Sequence, residues 1–173
     1  MLYCKKTIQE VFMTIRKTTE ADLPYIGEIY ENAKRFMRES GNPHQWNKGE
    51  PNIETARKDM EQGESYVAEE DGKIQAVFMF KIGDDPTYHK IERGAWLSDA
   101  PYAVIHRIAV FKQGCGIIDE CINYCFDKCP NLRIDTHEDN LPMQKALTKR
   151  GFKYCGIIHL ANGEKRWAYQ KIK

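Results

Sequence analysis

The chain has 173 residues, 42% of them hydrophobic and 29% charged, and 26 basic against 25 acidic side chains leave a formal net charge of +1. That length supports one well-buried core and is short for two, and a near-zero charge supplies no large field to attract nucleic acid or an anionic membrane. No apolar run approaches the roughly 18–20 residues that span a bilayer, and MLYCKKTIQEVF lacks a signal-peptide pattern, so a single cytoplasmic domain is the expectation.

Residues 1–12 have no clear period and read as an extension ahead of a domain over 13–173. MTIRKT alternates as a strand. In TEADLPYIGEIYENAKRFMRESG, Leu23, Ile26, Ile29, Tyr30, Ala33 and Met37 recur at helical spacing, with Thr19 and Asp22 as a capping box and Gly41 as the far limit. The polar stretch GNPHQWNKGEPN leads to a short helix from about Ile53 to Gln62, and Asp71-Gly72 joins two strands as a hairpin. GDDPTYHKIERG reads as a loop, AWLSDAPYAVIHRIAV as one long apolar strand, and IIDECINYCFDK as a helix stopped by Pro130. LRIDTH is a strand. NLPMQKALTKRG is a helix with Asn140 as N-cap and Gly151 as its stop, and a final hairpin turns at residues 161–164. Strand–helix–strand units imply parallel pairing locally and hairpins imply antiparallel pairing elsewhere: an α/β fold with one mixed central sheet.

Six cysteines occur, none in a Cys-x-x-Cys pair. Cys121, Cys125 and Cys129 fall at four-residue steps, the one arrangement that suggests a soft-metal or redox site. They share their face with Ile118 and Ile122, so packing is the preferred reading and no metal site is assigned.

Gly114 and Gly116 stand where a strand hands over to a helix, and the first N–H groups of a helix have no intrahelical partner and carry the positive end of its dipole. Such a start holds an anion through backbone alone, provided small residues admit it. Taken alone, the arrangement equally suits a tight turn with no ligand. The dinucleotide fingerprint is ruled out because Asp119 occupies the place of its third glycine, and no Gly-Lys-Ser/Thr follows for a phosphate loop.

The run from Gln113 through Gly114, Cys115, Gly116 and Ile117 to Ile118 resembles the Gln/Arg-x-x-Gly-x-Gly/Ala signature of the GNAT acetyltransferase superfamily, and DTHEDNLPMQKALTKRGFKYCGI resembles the segment that follows it there. Ile118 departs from the small residue of that pattern. The resemblance implies a three-layer fold whose central sheet splays open, with acetyl-CoA as co-substrate. Ile108, Ala109 and Val110 would pair with the pantetheine arm, residues 113–118 would take the pyrophosphate, and Asn140, whose plain capping role is complete by itself, would bond the cofactor arm. A backbone N–H at Val110 would stabilise the oxyanion.

The tyrosine that serves many members as general acid is replaced by Leu147, leaving water or Tyr154 for that task. For the base, His106, Glu92 and His137 are candidates, histidine because it titrates near neutral pH. Trp46, with His44 and Gln45, lies where the family builds its acceptor pocket, and Trp96 is a candidate wall. The expectation is an N-acetyltransferase acting on a primary amine of a small molecule by direct transfer in a ternary complex, with a homodimer admissible by family habit. Leu147 and Ile118 motivate a rival, a non-catalytic acyl-CoA-binding protein of the same fold.

Overall fold

The computed structural model describes residues 13–173; the extension read over 1–12 lies outside them. Its strands are β1 Met13–Lys17, β2 Ser65–Glu70, β3 Lys73–Ile82, β4 Ala103–Val110, β5 Asn131–Thr136, β6 Lys153–His159 and β7 Lys165–Ile172. Its helices are α1 Leu23–Glu39, α2 Ile53–Glu61, α3 Ile117–Lys128 and α4 Leu141–Lys149. One sheet holds all seven strands in the order β1-β2-β3-β4-β5-β7-β6, antiparallel throughout except for the β4–β5 pair.

Alternation assigns each strand residue a face. Val67, Val77 and Ala109 turn to α1 and α2, packing with Leu23, Ile26, Ile29 and Tyr30. Ala68, Ala76, Phe78, Ile105, Ile108, Leu132 and Ile134 turn the other way, onto Ile117, Cys121, Ile122 and Cys125 of α3 and Leu147 of α4. Cys121 and Cys125 are thus small core side chains, and burial pushes the Cys121 thiol up to about 12.

Two local rules hold as the sequence implies. The Thr19 N–H donates to Asp22 Oδ2 at 2.7 Å, closing the capping turn ahead of α1, and Asn140 Oδ1 accepts from Met143 N–H at 3.2 Å to cap α4. The long strand expected from Ala95 is shorter: β4 begins at Ala103. Pro101 has no N–H for a ladder, and Gln170 takes over the preceding backbone, accepting from Leu97 N–H at 2.6 Å and donating to the Ser98 carbonyl at 3.0 Å.

β4 is not regular either. Met79 pairs with His106 but Val77 with Ala109, so two residues oppose Phe78, and Arg107 has φ 54°. This bulge turns His106 and Arg107, though consecutive, to the α1–α2 face while Ile105 and Ile108 both stay in the opposite core. The Arg107 guanidinium is held there by Asp59 of α2, with Nε–Oδ2 3.0 Å and Nη2–Oδ1 2.7 Å.

Candidate active site

β4 and β5 pair only at Ala103–Leu132, Val104–Arg133 and Ile105–Ile134, and beyond these positions the two strands part. Phe111 N–H donates to the Gln75 carbonyl of β3 at 2.7 Å, so by alternation the Val110 N–H faces the opposite, open side. A narrow groove of about 80 Å³ runs along that opening, lined by Ile108, Ala109, Val110, Gln113, Ile118, Asn140 and Met143 among others. At its end lies the glycine turn. Gly114 and Gly116 have φ 78° and 74°, and no side chain caps α3. A Cβ on either glycine would meet no atom within 4 Å, so backbone conformation, rather than crowding inside the protein, is what demands glycine here. Ile117 is buried in the core, whereas Ile118 walls the groove.

On the other side of the gap is a second cavity of about 310 Å³, whose lining includes Trp46, Lys48, His106, Asp135, Thr136 and Arg166. Met37, Ile108, Asn140 and Met143 line both spaces, so the two share a wall. Trp46 stands edge-on to Tyr30, with ring centroids 5.9 Å apart. Asn140 is partly engaged: Oδ1 caps α4 and Nδ2 donates one hydrogen to Gln45 Oε1 at 2.9 Å, which leaves its second N–H unused among the described residues.

His106 is mostly buried, with its Nε2 2.7 Å from Asp85 Oδ2 and its Nδ1 3.6 Å from Asp135 Oδ1. Because an ionised carboxylate only accepts, Nε2–H is the donor to Asp85, and in the neutral ring the lone pair lies on Nδ1. Burial works to raise the Asp85 carboxyl, but the hydrogen bond and charge of His106, with Thr87 assisting, hold it well below the usual carboxylate range. Tyr88, wholly buried, packs on the imidazole at 5.5 Å and donates its hydroxyl to Asp135 Oδ1 at 2.7 Å.

Glu92, His137, Tyr154 and Trp96, named from the sequence, line neither space. Glu92 pairs through its backbone with Ile157 on the outer edge of β6, exposed and paired with Lys90, and lines neither cavity. Gly156 permits that approach, since a Cβ there would lie 2.6 Å from the Glu92 carbonyl oxygen. His137 lines a neighbouring pocket with His44, and burial and the Arg166 charge lower its pKa. Tyr154 sits exposed against Trp167 and Tyr169, away from both cavities, while Trp96 supports Tyr88 from behind and donates Nε1–H to its carbonyl. Sequence reasoning missed Asp85, Tyr88 and Asp135. Asp85 and Tyr88 fell within GDDPTYHKIERG, read as a loop, and Asp135 within LRIDTH, read as a strand.

A family model for the Acetyltransferase (GNAT) family matches residues 26–152. The chain belongs to the GNAT acetyltransferase family. A solved GNAT-family acetyltransferase from Streptococcus agalactiae is 34% identical with a TM-score of 0.85, covering 93% of this chain and 95% of that one. Two solved proteins share the fold at lower identity. A GNAT-family acetyltransferase from Listeria monocytogenes is 20% identical, with TM-score 0.67 and coverage of 92% and 94%. The ribosomal-protein-S18-alanine N-acetyltransferase from Escherichia coli is 17% identical, with TM-score 0.60 and coverage of 92% and 93%. No curated protein matches. Acetyl transfer from acetyl-CoA is general to this GNAT family, and among the described residues no helix is long and apolar enough to cross a membrane.

Proposed function

We propose that this GNAT protein transfers an acetyl group from acetyl-CoA to a primary amine of a small molecule, directly and within a ternary complex. The observation that carries the reading is the shared wall between groove and cavity where β4 and β5 part: a thioester entering from one side meets an amine bound on the other. The open edge of Ile108, Ala109 and Val110 suits an extended amide-bearing arm, and the uncapped start of α3 with its turn at residues 113–116 suits the pyrophosphate.

His106 Nδ1 takes a proton from the acceptor ammonium. The neutral nitrogen attacks the thioester carbonyl carbon, the Val110 N–H stabilises the oxyanion, and as the C–S bond breaks the proton shed by the attacking nitrogen passes through water to the departing thiolate, giving the amide and the free thiol. A thiol has a pKa near 8.5, so its thiolate leaves without a strong acid, and the buried Leu147 is no obstacle. Asn140 fixes the start of α4 at the groove, and its remaining N–H would bond the cofactor arm.

Calorimetric titration with acetyl-CoA, followed by thiol release across an amine panel and mass spectrometry of the product, tests this. Binding with release and a mass gain of one acetyl group on the amine is expected. Absence of heat at submillimolar acetyl-CoA sinks the assignment. Binding without release from any amine favours the non-catalytic acyl-CoA-binding reading, which the lack of a side-chain acid at Leu147 supports.

A further inference from the structure

We propose that the acceptor is a small zwitterion, its ammonium held by Asp135 and its anionic group by Arg166 and Lys48; this rests on the acetyl-transfer reading above. Asp135 is the floor of the 310 Å³ cavity, its side chain only 11% exposed. An ionised carboxylate offers about four acceptor sites, and among the described residues Asp135 receives one side-chain donor, the Tyr88 hydroxyl. No Lys or Arg nitrogen among those residues lies within 4.0 Å of it, and His106 Nδ1 at 3.6 Å presents a lone pair in the neutral ring. A carboxylate so placed is unbalanced until a cation arrives.

The counter-group is set by strand register. Asp135 pairs with Ala168, so Arg166, two residues along β7, shares its face at a diagonal spacing of roughly 7–8 Å. The Arg166 side chain is 7% exposed, and it shares the single carboxylate of Glu164 with Lys48, at 2.9 and 2.6 Å. Two cations against one anion leave one positive charge at this end. The other cation of the lining, Arg107, is matched by Asp59 and contributes none; Glu50 also lines the cavity but, exposed like Lys48, makes no ion pair with this cluster. The cavity therefore carries a negative floor and a positive rim, and its volume is about ten waters' worth at ~30 Å³ each, which suits a free amino acid or a similar amine bearing an anion.

The test uses the full chain, acetyl-CoA, and a panel of α-amino acids, β-alanine and 4-aminobutyrate, each beside the amine that lacks its carboxyl group. Carboxylated acceptors are expected to exceed their decarboxylated partners at least about tenfold in kcat/KM. Asp135→Asn should lower kcat/KM for every acceptor about a hundredfold while calorimetric binding of acetyl-CoA persists. Lys48→Ala, at an exposed side chain that threatens no core, should raise the KM of the carboxylated acceptors several-fold and narrow the gap between the two sets. Thiol release that is equal or faster with decarboxylated amines overturns the zwitterion and leaves acetyl transfer standing. No release from any acceptor overturns both.

Discussion

Asn140 Nδ2 donates to Gln45 Oε1 at 2.9 Å, and the same oxygen accepts from Asn42 Nδ2 at 2.8 Å, so the start of α4 is tied to the loop that carries Trp46. Asn42 is fully buried, and its amide has no other side-chain partner. Gln45→Leu keeps the bulk and removes the acceptor, leaving two amides unpaired. We expect a loss of about 1–3 kcal/mol by urea unfolding. The acceptor KM should rise more than the KM of acetyl-CoA, because the loop walls the acceptor cavity and not the groove. Equal effects on both would show that the tie does not act through the loop.

The pairing of His106 with Asp85 predicts a linked change in stability and rate. The folded carboxyl is held below its unfolded value, so the pair stabilises the protein above about pH 4 and that contribution fades as acid protonates the carboxylate. Asp85→Asn should therefore cost about 1.5–3 kcal/mol at pH 7, and the gap from the parent should narrow as the pH falls below about 4. In the proposed reaction Asp85 positions His106 without touching substrate. The variant should lose about a hundredfold in kcat while calorimetric binding of acetyl-CoA persists. A loss of stability with kcat retained would assign Asp85 a purely structural part.

Much of this architecture was legible in the sequence because local rules agreed with global ones. Thr19–Asp22 and Asn140 cap the helices that periodicity located, Asp71-Gly72 makes its hairpin, and the glycines at 114 and 116 stand in left-handed conformations at a helix start. What escaped depends on register. The β4 bulge breaks the alternation that would have assigned faces, so the sequence named His106 without the neighbours that make it a base. Asp85 lies 21 residues away and Asp135 on another strand; only the fold brings them to the imidazole. Glu92 misled for the same reason, since its distance along the chain from β4 says nothing of the far edge to which Gly156 admits it.

At the glycine turn, Gly116→Ala tests conformation apart from crowding. With φ 74° and open space around it, the new Cβ meets nothing inside the protein but must adopt a left-handed backbone, at about 1–2 kcal/mol. A fall in Tm of roughly 2–8 °C follows. Any additional loss reflects a ligand approaching the backbone, and acetyl-CoA affinity should drop roughly tenfold, about 1.4 kcal/mol. Retained affinity in a destabilised variant would place the pyrophosphate elsewhere.

Cys115 lies exposed on this turn, whereas Cys121, Cys125 and Cys155 are buried and burial raises each of their thiols. Brief treatment with iodoacetamide at neutral pH should label Cys115 and spare those three, as read by peptide mass spectrometry. Saturating coenzyme A should slow labelling at Cys115 several-fold. Unchanged labelling would indicate that no phosphate group rests against the turn.

The Arg107–Asp59 pair makes a prediction whose sign depends on background. Arg107 occupies φ 54° in the bulge, a conformation that disfavours any side chain, and is kept there by three hydrogen bonds to Asp59, whose side chain is 10% exposed. Arg107→Gly in the parent relieves about 1–2 kcal/mol of backbone strain yet leaves a buried carboxylate without its cation, which costs more, so the variant should be less stable. Asp59→Ala removes the anchor and leaves a partly exposed guanidinium, at about 1.5–3 kcal/mol. Once Asp59 is absent, the same Arg107→Gly change no longer strands a charge and only relieves strain, so it should be neutral or stabilising by about 1 kcal/mol. Urea unfolding of the four proteins reads the reversal directly. If Arg107→Gly were destabilising to the same extent in both backgrounds, the bulge would owe its shape to the sheet and not to Asp59, and the side-by-side projection of His106 and Arg107 would need another cause.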